Sequence, residues 1–316
     1  MDSLKLNRRA ATLCQALLQR AAELRVEIHQ TGGATVIDLG AKAPGGLEAG
    51  LAMAEVCLAG LGRVSLVSAV PELWQGPAVA VHTDQPLLAC LASQYAGWQI
   101  AQGKYFAMGS GPMRAAAGKE SLFEELLTRE QTDVAVGVLE TSKLPPEEVV
   151  HYIAEACGIA PSGLTLLAAR TASQAGAVQV VARSVETALH KLHELGFDLK
   201  RIASGWGVAP LPPVAADDLA AIGRTNDAVL YGGEVVLWVH GDDASLEELG
   251  PRVPSNASPD YGEPFAKIFA RYDHDFYKID PHLFSPAAVT FMNLDTGRTF
   301  RFGRTAPEIL QRSFAS

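Results

Sequence analysis

The sequence has no basic block: among its 316 residues, 26 Lys and Arg stand against 35 Asp and Glu, giving a formal net charge of −9. The pI is near 5.4. Without a cationic patch the chain has no electrostatic footprint for nucleic acid or an anionic membrane surface, and a small-molecule partner is expected. No apolar run approaches the length needed to span a bilayer. Arg20, Glu23 and Arg25 interrupt the stretch after Arg8-Arg9, so no export signal forms there. Cysteine is scarce. Cys14, Cys57, Cys90 and Cys157 are widely spaced in apolar contexts, with no CxxC, and read as buried thiols in a reducing cytoplasm. The nucleophile elbow GxSxG, the phosphate loop GxxxxGK[ST] and the zinc motif HExxH are all missing, as are low-complexity tracts and repeats.

What is present is a near-continuous alternation of strand and helix patterns, which predicts an α/β class. A chain of this length should bury roughly three quarters of its unfolded surface. RVEIHQ and ATVIDLG read as strands around the turn Thr31-Gly32-Gly33, and GLEAGLAMAEVCLAGLG reads as a helix. From Gln85 the order is helix (PLLACLASQYAGW), strand (KYFAMG), helix (SLFEELL), strand (DVAVGVLE), helix (PPEEVVHYIAEACG) and strand (LTLLAAR). After Pro210-Leu211-Pro212-Pro213 come strands over DAVLYG and EVVLWVH, then a hairpin in AVTFMNLDTGRTFRF turning through Asp295-Thr296-Gly297. This pattern suggests two lobes. Residues 1–84 and 198–316 form a discontinuous first lobe, and residues 85–197 form an inserted second one.

Three glycine-bearing segments are candidate ligand sites. In KYFAMGSGPMRA a strand runs into Gly109-Ser110-Gly111-Pro112, where backbone N–H groups could converge on an anion or let a flat ligand approach; an ordinary strand-to-helix turn looks the same. Gly45-Gly46 precedes a helix in the same manner, although two glycines and a proline make a turn without any ligand. In SGWGVAPLPPV, Trp206 between Gly205 and Gly207 suits stacking on a planar ring, and equally a buried Trp in a tight loop. For metals there is little: His190 and His193 are three apart on a helix without a third ligand, and Tyr272-Asp273-His274-Asp275 reads as a surface turn.

The segment QVVARSVETALHKLHELGFD, residues 179–198, carries an apolar stripe through Val181, Val185, Ala188, Leu189, Leu192 and Leu195 and predicts one helix ended by Gly196. Arg183, Glu186 and His190 fall on the opposite side. An Arg–Glu pair at i, i+3 is worth only about 0.2–0.5 kcal/mol, and Arg preceding Glu is the less favourable order against the helix dipole. Spacing alone therefore leaves two readings open, a solvated ion pair and a functional one.

The blocks YFAMGSGPMRA, TASQAGAVQVVARSVETALHKLHELGFD, GRTNDAVLYGGEV and HDFYKIDPHLFSPAAVTFMNL, together with GGLEAG and APLPPV, resemble the methenyltetrahydromethanopterin cyclohydrolase family over about residues 7–314. The resemblance implies a cytoplasmic enzyme of one-carbon metabolism that hydrolyses the 5,10-methenyl group of a tetrahydromethanopterin carrier to N5-formyl. It also implies a two-lobed α/β subunit with the pterin between lobes, a homotrimer, no metal and no cofactor beyond the substrate carrier. The family's catalytic helix carries an Arg and a Glu three apart that map onto Arg183 and Glu186. In that reading Glu186 is the acid–base group, and Arg183 orients it and keeps it ionised. Gly109, Ser110, Gly111, Gly45, Gly46 and Trp206 are substrate-binding candidates on physical grounds only. The alternative is a non-catalytic pterin-binding relative.

Overall fold

A computed structural model describes residues 4–125 and 127–315. In chain order, α1 (Leu6–Gln19) and α2 (Ala21–Leu24) lead into β1 (Glu27–Thr31), β2 (Ala34–Gly40) and α3 (Leu47–Cys57). Then come β3 (Gly62–Ser68), β4 (Pro77–Thr83), a π-helix at Leu87–Gln94, β5 (Trp98–Gln102), β6 (Tyr105–Ser110), α4 (Met113–Ala117) and α5 (Leu122–Glu125). Next are β7 (Ala135–Glu140), α6 (Glu147–Cys157), β8 (Leu164–Ala169), α7 (Gln174–Val181), α8 (Ser184–Glu194) and β9 (Ile202–Pro210). The chain closes with α9 (Asp218–Gly232), β10 (Glu234–Val239), α10 (Asp243–Leu249), α11 (Phe265–Arg271), β11 (Ala288–Asn293), β12 (Thr299–Gly303) and α12 (Pro307–Phe314). Leu126, inside the helix expected over SLFEELL, lies outside the described residues.

The α/β class holds, as two six-stranded mixed sheets ordered β1-β2-β8-β7-β6-β5 and β12-β11-β10-β9-β4-β3. The chain divides into two compact units, Met1–Gly62 with Leu88–Gln179, and Arg63–Leu87 with Val180–Ser316. That division differs from the expected one, which grouped 1–84 with 198–316. The reason lies in β2. Its residues are almost all buried, and a strand apolar on both faces belongs inside a parallel sheet. It pairs in parallel with β8, which pairs in parallel with β7. The amino-terminal hairpin thus joins the middle of the chain. The segment bearing Arg183 and Glu186, expected in the inserted lobe, belongs to the second unit, where α8 packs on β4, β9 and β10.

In the first unit the sheet is covered on both faces. Ala34, Val36, Ala135, Leu139 and Leu166 pack with α6 and α4 on one side. Ile37, Leu39, Val136, Val138 and Leu167 pack with α1, α3 and Ala175 of α7 on the other. The alternation of these residues along each strand is the period of two that sorts side chains between faces.

Several local expectations change. DAVLYG, expected as a strand, is the buried end of α9, whose start is fixed by the Asp217 carboxylate accepting the Ala220 N–H at 2.9 Å. A short apolar run does not distinguish the two states. SGWGVAPLPP, expected as a loop, is largely β9. The helix expected over 179–198 is divided into α7 and α8 at Ala182 and Arg183.

Candidate active site

Arg183 and Glu186 sit where α7 gives way to α8. Arg183 caps α8 with φ −88° and ψ 7°, in the sparsely allowed bridge region where many active-site residues are found. Its carbonyl accepts both the N–H and the hydroxyl of Thr187, each at 2.8 Å, so the backbone at the break is held without the Arg side chain. Glu186 is the third residue of α8, in the first turn, where unpaired N–H groups and the helix dipole favour a carboxylate. Arg183 is 7% exposed and Glu186 6%. A solvated surface pair is therefore not what the chain makes. Of the expected apolar stripe, Val181, Val185, Ala188, Leu189 and Leu192 are fully buried, whereas Leu195, at the carboxyl-terminal cap of α8, is half-buried.

Two glycines of β9 set how closely this turn approaches the sheet. A Cβ at Gly205 would lie 2.7 Å from Val185 Cγ1, and one at Gly207 would lie 2.4 Å from Ser184 Oγ. Neither distance is tolerable for a real side chain, so glycine at both positions lets α8 rest on the β9 backbone. Trp206, between them, points to the opposite face of the sheet, beside its cross-strand partners His82 and Val236. There it lines a shallow depression with His82, Asp84, Ser204, Trp238 and Leu294. Within this unit, Trp206 and the Arg183–Glu186 turn lie on opposite faces of one sheet.

The other two glycine segments lie in the first unit and are explained by packing. Gly109, Ser110 and Gly111 are all buried. A Cβ at Gly109 would meet Ile100, Met113 and the Trp98 carbonyl at 2.8 to 3.0 Å, and Gly111 needs its φ of +86°. The Gly111 N–H donates to the Ser93 carbonyl at 2.8 Å, and the Ser110 hydroxyl donates to the Val138 carbonyl at 3.3 Å. Arg114, fully buried, braces the same turn by donating to the carbonyls of Leu91 and Ser93 and pairing with Glu120. Gly45 has φ +55°, and a Cβ there would lie 1.8 Å from the Leu39 carbonyl oxygen; one at Gly46 would meet the Arg25 guanidinium at 2.6 Å. The two segments are not brought together. Gly45-Gly46 follows the carboxyl end of β2, whereas Gly111 lies against Val136 and Val138 in the body of β7.

Residues not singled out in the sequence line the carboxyl ends of the parallel strands. Asp38 is buried, and its carboxylate accepts the N–H groups of Gly40, Ala41, Lys42 and Ala43 at 2.7 to 3.2 Å, which shapes the loop leading to Gly45. Glu140, last in β7 and half-buried, accepts a hydrogen bond from the hydroxyl of buried Thr171. The signal for Glu140 was a carboxylate closing the apolar run AVGVLE. In the second unit, Lys191 of α8 is buried and donates to the His282 carbonyl at 2.6 Å; burial pulls its ammonium down to about 8.

Among the described residues no cluster of three or more His, Cys, Asp or Glu could hold a metal ion. His190 lies 3.9 Å from Glu194. Asp273 and His274 both have positive φ in an exposed turn, and Asp273 accepts from Lys278. The four described cysteines are buried and in no disulfide, and burial pushes Cys14 and Cys157 up to about 12, which makes those two inert. No helix among the described residues is long and apolar enough to cross a membrane.

Comparison with known proteins gives one answer. The family profile described as Cyclohydrolase (MCH) matches residues 5–314. A methenyltetrahydromethanopterin cyclohydrolase of Xanthobacter autotrophicus is 51% identical over 305 residues, covering 96% of this chain and 90% of its own. One from Rhodopirellula baltica is 48% identical, covering 98% and 94%. An archaeal one, from Methanosarcina barkeri, is 43% identical, covering 98% of both chains. At these identities and this coverage, the chain is a member of the methenyltetrahydromethanopterin cyclohydrolase family.

Proposed function

We propose that this enzyme hydrolyses 5,10-methenyltetrahydromethanopterin to the N5-formyl compound with Glu186 as its acid–base group and Arg183 as its partner. The observation that carries the residue assignment is their joint burial at the first turn of α8, inside the family block VARSVETALHKLHELGFD. The substrate's methenyl carbon lies between two nitrogens as an amidinium-like cation, so it is already an electrophile. Water attacks it, a C–O bond forms, and Glu186 accepts the proton that water loses. The neutral adduct then opens. The bond from carbon to N10 breaks as Glu186 returns its proton to that nitrogen, and the hydroxyl proton leaves as the formyl C=O forms. Water and cation thus give formyl product and one proton. Arg183 presents a planar guanidinium that orients the carboxylate.

The same reading makes the chain a cytoplasmic homotrimer with no metal and no cofactor besides the pterin carrier; sedimentation of the purified protein checks the assembly. The central test is Glu186→Gln, which keeps shape and removes the base. Bleaching of the methenyl chromophore should slow by roughly 10²–10⁴-fold while substrate binding persists. Turnover within a few fold of the parent would overturn the assignment. A parent protein that bleaches only one equivalent would instead be a binding relative.

A further inference from the structure

The carboxyl ends of parallel strands are where open α/β sheets bind ligands, at the point where neighbouring strands send their chains to opposite faces. The first unit has one such point. β7 and β8 are adjacent and parallel. β7 continues into α6, which packs on one face, and β8 continues into α7, whose Ala175 packs on the other. Glu140 stands at this fork, in register with Ala169. Its Oε1 accepts the Thr171 hydroxyl, and no described residue donates to Oε2. Thr171 is 3% exposed, so its hydroxyl is a fixed donor that sets the plane of the carboxylate. Next to Glu140, the Thr141 N–H donates to the Ala169 carbonyl at 3.0 Å and its hydroxyl to the Phe106 carbonyl at 3.0 Å, which ties the fork's backbone down.

A carboxylate held in this way, with one oxygen open and the other retaining a lone pair, matches a ligand that offers two parallel N–H donors. The 2-amino-4-oxopyrimidine edge of a pterin offers that pair, N3–H beside the exocyclic amine. Two parallel charge-assisted hydrogen bonds are the strong, geometrically selective kind. We propose that Glu140 is the specificity residue that receives the pterin's 2-amino edge, with Thr171 as its positioning residue; this rests on the cyclohydrolase reading for the identity of the ligand.

The experiment compares parent, Glu140→Gln and Thr171→Val in two assays. One is turnover of the methenyl substrate. The other is inhibition and fluorescence binding with 6-methylpterin and 6-methyllumazine, which differ by an amine against a carbonyl at C2. Glu140→Gln places an amide against the donor edge, so KM should rise roughly 100-fold with kcat within about threefold, and preference for the pterin over the lumazine should vanish. Thr171→Val should raise KM less and keep part of the preference. An unchanged KM and preference in Glu140→Gln would overturn the assignment, as would a loss confined to kcat. Should Glu140→Gln fail to fold, Thr171→Val carries the test alone, and a parental KM there refutes the proposal. A parent that prefers the pterin through Glu140 yet never turns over the methenyl substrate would sink the cyclohydrolase reading and leave Glu140 standing. Turnover with a Glu140-independent preference would do the reverse.

Discussion

Gly207 of β9 lies so close under Ser184 of α8 that a Cβ at 207 would sit 2.4 Å from the Ser184 hydroxyl oxygen and 3.0 Å from Val185 Cγ2. Ser184 is fully buried, and its Oγ has no hydrogen-bond partner among the described residues. The absence of a side chain on the strand beneath it therefore lets the turn that carries Glu186 rest directly on β9.

This contact gives a first prediction. Gly207→Ala should destabilise the protein by about 1–3 kcal/mol through overpacking and lower kcat by lifting the first turn of α8. Ser184→Ala alone should be neutral or slightly stabilising, since it removes a buried hydroxyl that bonds to no described residue. In the double variant the alanine at 207 should cost less than it does alone, because the oxygen it strikes is gone. Urea midpoints of the four proteins decide it. Strict additivity would mean the destabilisation arises elsewhere.

A second prediction concerns pH. Asp227 of α9 is fully buried, and its Oδ1 accepts the Phe265 N–H at 2.8 Å. Burial pushes its carboxyl up from 3.8 to about 7, with hydrogen bonds from Ser313 and Phe265 opposing. A carboxyl raised on folding keeps its proton in the folded chain after the unfolded chain has lost it. Its contribution is complete below 3.8 and is lost as pH rises through about 7. Asp227→Asn, which does not titrate, should therefore gain on the parent between pH 5 and pH 8. Denaturant midpoints at those two values measure it, and an equal gap at both would refute the linkage.

Much of this architecture was legible in the sequence. The β1–β2 and β11–β12 hairpins follow from turn residues between alternating runs, and the buried stripe of α8 follows from its period. What was hidden depended on partners distant in sequence. β9 reads as a loop because glycine and proline disfavour strands in isolation; only α8 lying on Gly205 and Gly207 explains them. The pairing of β2 with β8 spans over a hundred residues and no local pattern encodes it. Arg183 and Glu186 lie opposite the apolar stripe, so periodicity could place them on one side of a helix but could not say that this side is buried. Glu140 and Thr171 carry no spacing signal at all, since they meet only through adjacent strand ends.

The third prediction comes from the electrophile. A carbon already cationic between two nitrogens needs a base, not a Lewis acid, so activity should survive exhaustive chelation and dialysis. Loss of activity that added zinc restores would reverse this.

The last prediction concerns how Arg183 and Glu186 divide the work. Arg183→Lys keeps the charge and loses the planar fork, so kcat should fall at least about 10-fold, and Arg183→Ala should lower it further. Both variants should fold, because Thr187 holds the Arg183 carbonyl through its N–H and hydroxyl, whatever the side chain. Melting curves check that point independently of activity. Residues that act as one unit give losses that do not multiply, since removing either member already disables the step. Arg183→Ala combined with Glu186→Gln should therefore be about as slow as Glu186→Gln alone in single-turnover bleaching of the methenyl band. If the double variant instead shows the product of the two separate losses, Arg183 serves the reaction through the substrate and not through Glu186. If Arg183→Ala retains parental kcat, the guanidinium buried at the head of α8 has no part in the chemistry.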